Sequence, residues 1–156
     1  MTSLVQTVMP HARRAIGWLE ALQPLALLGA RLVVAQAFFL SGLTKLRSWD
    51  VTLSLFEDEY HVPLLPPEVA ALLATAAELS LPLLLFVGLL TRPAALALLG
   101  MTLVIQFFVY PNAFDTHGTW AVVLLYLAKF GPGAVALDSL LARSWTARKA
   151  TTSPTV

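Results

Sequence analysis

Two ionisable side chains lie deep inside apolar runs of this 156-residue chain. Glu78 interrupts "ATAAELSLPLLLFVGLL", and Lys129 interrupts "LLYLAKFGPGAVALD". A charge at the centre of a membrane-spanning helix disfavours insertion by about 2.5–3.5 kcal/mol, so it faces protein or water and finds a partner. At 1.5 Å per residue, Glu78 lies roughly 16 Å from Pro67 and Lys129 roughly 14 Å from Trp120. Equal depth makes Glu78 and Lys129 the expected ion pair. Arg31, roughly 10 Å inward from Pro24, and Asp138, near the end of the last apolar run, make the second. Such pairs have two readings: bridges that fix helix register while adding little net stability, or groups that carry protons within the membrane. Lys129 has a further option, extending toward an interface, because Gly131, Pro132 and Gly133 let the helix bend there. Placing the membrane exit at that break leaves Trp120 to Phe130, roughly 16 Å, too short for a core of about 30 Å. The break is therefore expected inside the fourth span.

A third group gathers near the opposite ends of the spans. It comprises Lys45, Gln106, Tyr110, His117 and Trp120. Tyr110 and Trp120 alone read as interface anchors. His117 adds an imidazole that takes or gives a proton near neutral pH, or else it is an exposed loop residue. Together with Glu78 these residues form a candidate proton site. His61 falls on the same side, but no close-spaced ligand set such as HxxxH accompanies it, so no metal site is expected.

The elements that must position these groups follow from composition. The chain is 58% hydrophobic and 12% charged, with a mean hydropathy of +0.76. That is more apolar side chain than one small soluble core buries, and it implies contact with the lipid bilayer. Four runs suit helices of roughly 20 residues: Pro24 to about Lys45, Pro67 to Thr91, "AALALLGMTLVIQFFVY" closed by Pro111, and Trp120 to about Leu141. The expected fold is all-α, an integral membrane four-helix bundle over residues 24–142. Residues 1–23 read as a cytoplasmic helical segment, and 143–156 as a disordered cytoplasmic tail. Between spans one and two, Trp49, Leu53, Leu55, Phe56 and Tyr60 suggest a short amphipathic helix facing outward. Arg13, Arg14, Arg92, Arg143, Arg148 and Lys149 fall on one side of the spans, against Lys45 and Arg47 on the other, which predicts a multi-pass protein with both termini cytoplasmic. Net charge is only +1, with no basic run suited to nucleic acid. The absence of cysteine excludes thiol–disulfide catalysis, thioether haem attachment and cysteine-ligated clusters on this chain.

Four motifs in order, "RLVVAQAFFLSGLTKL", "ATAAELSLPLLLFVGLLTRPAAL", "VYPNAFDTHGTWA" and "GPGAVALD", resemble the DoxX family of bacterial inner-membrane proteins over about residues 25 to 141. Arg31, Lys45, Glu78, Arg92, His117, Gly131, Gly133 and Asp138 stand where that family has its characteristic polar and glycine positions. The resemblance implies membrane redox work or the handling of sulfur, metal or oxidative stress, since some relatives form the membrane part of a thiosulfate:quinone oxidoreductase. The bundle also resembles that of vitamin K epoxide reductases, but those enzymes need cysteines. Two classes of function follow. One is a quinone-linked oxidoreductase subunit, with no covalent cofactor and a redox partner protein to supply electrons. The other is a non-enzymatic scaffold or small transport module, with a homo-oligomer as one arrangement.

Overall fold

Long apolar stretches with few β-branched runs fold as helices throughout. The computed structural model describes residues 2–60 and 62–151, and all of its elements are helical. These are α1 (Thr2–Arg47), α2 (Trp49–Leu55), α3 (Pro67–Val87), α4 (Thr91–Val104), α5 (Phe114–Phe130) and α6 (Leu137–Thr151). Two π-helical turns, Phe56–Tyr60 and Ile105–Val109, extend α2 and α4. Three helical stretches, His11–Arg47, Pro67–Val87 and Thr91–Val109, are long and apolar enough to cross a membrane.

Helix α1 packs on α3 and α5, α3 on α4, and α4 on α5, around a shared buried apolar cluster. Val34, Leu85, Leu98, Leu124 and Leu127 are fully buried within it. Alanines thin the seams: Ala35, Ala94 and Ala95 are buried there and admit close approach. Gly42 of α1 faces α3 so closely that a Cβ would lie 3.0 Å from the Glu78 Cβ. Helix α2 and its π-turn fold back over the start of α3, where Phe56 packs with Ala70 and Ala71.

Several boundaries differ from the sequence expectation. Residues 2–23 and the first span form one unbroken helix, because Pro24 removes a single backbone hydrogen bond within a strongly helix-forming stretch. Helix α5 begins at Phe114, six residues before Trp120, and ends at Phe130. That start makes α5 17 residues long, or about 26 Å. The expected bend at Gly131-Pro132-Gly133 is instead the helix end. Gly131 there has φ 80° and ψ −158°, a conformation essentially confined to glycine. The chain restarts as α6, which stays helical to Thr151 where a disordered tail was expected. "ARSWTARKA" holds no glycine or proline to stop it.

The polar groups at this end do structural work. Asp138 does not pair with Arg31 as expected. Its carboxylate accepts the backbone N–H groups of Leu90 (3.0 Å) and Thr91 (3.1 Å), which cap α4, while its own N–H donates to the Gly88 carbonyl at 2.9 Å. These bonds hold Leu90 at φ 49° and satisfy amides that a helix start leaves unpaired. Arg31, almost wholly buried, donates instead to the Pro132 (2.7 Å) and Val135 (2.9 Å) carbonyls and ties down the α5–α6 connection. Arg92 reaches the Lys129 carbonyl at 3.4 Å, placing a cation at the carbonyl end of α5.

Asp138→Ala is expected to lower stability by about 1–2 kcal/mol, the usual cost of a lost helix cap. Gly88→Ala is expected to cost more, because Gly88 has φ +71° and a Cβ would collide with Arg31 and Ala136. Denaturant titration in detergent, followed by circular dichroism, checks both. Parent-like stability of Asp138→Ala would remove the capping role.

A candidate ligand site beside the Lys45–Glu78 bridge

Glu78 sits mid-way along α3, buried to 4% exposure of its side chain, and its partner is Lys45 rather than Lys129. Lys45 Nζ lies 2.7 Å from Glu78 Oε2 and 2.9 Å from Oε1. Ser41, one turn earlier on α1, completes a triangle: its Oγ accepts from Lys45 at 2.9 Å and donates to Glu78 Oε1 at 3.3 Å. The pairing follows from where the helices end. Helix α1 stops two residues beyond Lys45, beside the middle of α3, so the flexible lysine stem reaches inward along Gly42. Lys129 falls in the last turn of α5, where it is exposed and lies 5.2 Å from the Phe130 ring centroid.

The bridge borders a cavity of about 600 Å³. Phe38, Ala74, Ala77, Met101 and Ile105 give it apolar walls, while Lys45, Glu78, Tyr60, Tyr110, His117 and Trp120 bring polar or aromatic groups. Pro63, Leu64 and Leu65 also line it, and Leu64 is fully exposed, so the cavity reaches the surface there. Both π-turns contribute, through Phe56, Tyr60, Ile105 and Val109. Such helical irregularities are frequent at functional sites.

His117 is buried in the first turn of α5, which sets aside the exposed-loop alternative. Gln106, in the second π-turn, donates its amide N–H to the Pro111 carbonyl at 2.6 Å. Its Oε1 is left to accept from His117 Nδ1 at 2.8 Å, and the neutral ring then keeps Nε2 as an acceptor. Gln106 is thus a positioning residue that does not itself line the cavity. Trp120 stacks at 5.6 Å from His117 and 5.0 Å from Phe38, an inward role beyond that of an interface anchor. Tyr110 Oη lies 3.2 Å from Tyr60 Oη and 3.1 Å from Glu59, and these bonds with partial burial raise its pKa, keeping the phenol protonated.

Of the residues expected at this site, Lys45, Glu78, Tyr110, His117 and Trp120 meet around one cavity, with Gln106 behind His117. Lys129, Arg31 and Asp138 lie away from it. Ser41 and Tyr60 are participants that the site reading of the sequence omitted. Ser41 had a legible signal, a hydroxyl four residues before Lys45 on one helical face. Among the described residues no cluster of three His, Asp or Glu forms a metal-ligand set, and His61 lies outside the described residues.

A family model described as DoxX matches residues 26–111. The chain is also 31% identical to "Inner membrane protein YphA" of Escherichia coli strain K12, over 76% of this chain and 91% of that protein. No solved structure matches it.

Lys45→Met and Glu78→Gln are each expected to cost about 3 kcal/mol of stability by stranding a buried polar partner, and the double change is expected to cost less than their sum. Lys129→Met is expected to be near neutral. A double-mutant cycle by denaturant titration checks this. Strict additivity for Lys45 and Glu78 would contradict the pairing.

Proposed function

The chain belongs to the DoxX family, and from that premise we propose that it is a quinone-interacting subunit of a redox system in a bacterial inner membrane. The inner-membrane placement draws on the similarity to YphA and on the apolar helices. In this reading α5 is the fourth crossing. Its length of about 26 Å falls slightly below a 30 Å hydrocarbon core and is accommodated by local thinning. The surplus of Lys and Arg puts both termini in the cytoplasm and the cavity at the outward end.

The observation that carries the proposal is an apolar cavity of about 600 Å³ bordered by an ion-paired carboxylate and a histidine. A quinone ring with part of an isoprenoid tail suits such a volume and lining. Its carbonyl oxygens need hydrogen-bond donors, and full reduction brings two electrons and two protons. Lys45, Tyr60 and protonated His117 donate hydrogen bonds, while Glu78 and His117 exchange protons. Electrons would come from a partner protein, because this chain offers no cysteine sulfur. Sulfur, metal or oxidative-stress chemistry in that partner fits the family's setting.

The test is organic extraction of gently purified protein followed by mass spectrometry, with a folded Glu78→Gln sample in parallel. Near-stoichiometric quinone in the parent and about tenfold less in the variant, equivalent to ~1.4 kcal/mol of binding, are expected. Background quinone in both would reject the proposal and favour a non-enzymatic scaffold, a reading supported by the structural use of Arg31 and Asp138 at the other end of the bundle.

A further inference from the structure

Beside the apolar cavity lies a second, smaller one of about 270 Å³ between the end of α1 and α2. Ser41, Lys45 and Tyr60 line both cavities, and Thr44, Ser48 and Thr52 line the smaller one alone. The Lys45–Glu78 bridge therefore stands between an apolar chamber and a hydroxyl-lined one.

We propose that the smaller cavity is a hydrated vestibule through which the Glu78 carboxyl exchanges protons with the outward aqueous phase, using Lys45 and Ser41 as the relay.

The hydroxyl bonding selects the occupant. Thr44 donates its proton to the Leu40 carbonyl, Thr52 to the Lys45 and Ser48 carbonyls, and Ser41 to Glu78. Each oxygen keeps lone pairs as acceptors, which suit the O–H groups of water or hydronium and oppose an anion. The lysine charge is already neutralised by Glu78, which removes the other attraction for an anion. Val51 and Leu55 complete the lining, and a cavity of this size with that many hydroxyls has room for several waters with two or more partners each. From there the transfer balances: Lys45 passes a proton to the Glu78 carboxylate, directly over 2.7 Å or across Ser41, and regains one from a vestibule hydronium. The net change is one proton gained by Glu78. Thr44 and Ser48 are exposed at the vestibule's outer side, which gives the path an opening to water. The inference deepens the reading of Glu78 as the proton-exchanging group of the quinone site and adds the route by which that proton arrives.

The test is infrared spectroscopy of the full chain in lipid nanodiscs. At low pH the protonated-carboxyl band that disappears in Glu78→Gln is followed as the buffer is switched from H2O to D2O. The parent band is expected to shift within the mixing time. Ser48→Leu is expected to slow the shift severalfold; the Ser48 side chain makes no helix-capping bond, so the variant is expected to remain folded. Ala74→Leu, which fills the apolar cavity, is expected to leave the rate unchanged while displacing quinone. Parent-like exchange in Ser48→Leu with slowed exchange in Ala74→Leu would overturn the route, as would the absence of any Glu78 carboxyl band. Quinone content of the same samples is read separately. A slowed Ser48→Leu in protein that binds no quinone would reject the ligand while upholding the vestibule.

Discussion

A buried carboxylate in lipid is tolerable only with a partner within reach, and the Lys45–Glu78 bridge meets that constraint at 2.7 Å. Much of this half of the molecule is arranged around it. Gly42 lets α1 approach α3 at the depth of Glu78, and α1 ends just beyond Lys45. With α1 ending there, α2 and the Phe56–Tyr60 turn cover the start of α3, and the space beneath them becomes the apolar cavity. The bridge also brings an ion pair to that cavity, most of whose remaining walls are aliphatic or aromatic.

The two ends of the bundle use their charges differently. At one end, Arg31, Arg92 and Asp138 are committed to backbone carbonyls and amides. These bonds join α1 and the α3–α4 hairpin to the end of α5 and the start of α6. At the other end, Lys45, Glu78 and His117 face space large enough for a ligand. The bonds at the first end tie the helices together there, and groups from α1, α3 and α5 converge at the second. Residues that resist motion and residues that border the cavity are thereby separated along the helix axes.

Much of this was legible in the sequence. Apolar runs located the core of α1, α3 and α4, and the polar and aromatic residues near their ends marked Lys45, Gln106, Tyr110, His117 and Trp120. The partner of Glu78 was not legible from depth alone. Depth was counted on a span from Trp120 to about Leu141, but α5 starts at Phe114 and stops at Phe130, which moves Lys129 from mid-span to a helix end. Asp138 was misread for a related reason. The short Asp138 side chain, just past a Gly-Pro-Gly break, caps an exposed helix start, and nearby Arg31 is taken up by the Pro132 and Val135 carbonyls instead. Ser41 and Tyr60 depend on how α2 folds back over α3, a tertiary fact without a local pattern. The widening at Gln106 likewise has no signal in residue type.

The central claim is that the cavity beside Lys45 and Glu78 holds a lipid-soluble ring. It is tested most directly by illuminating the membrane-embedded protein with a photoreactive quinone analogue and mapping the labelled peptides by mass spectrometry. The account predicts labels concentrated on Phe38 of α1 and on Met101 and Ile105 of α4 and its π-turn, and competed away by unlabelled quinone. Labels spread over the lipid-facing Leu72, Leu83 and Val122, insensitive to competitor, would contradict it.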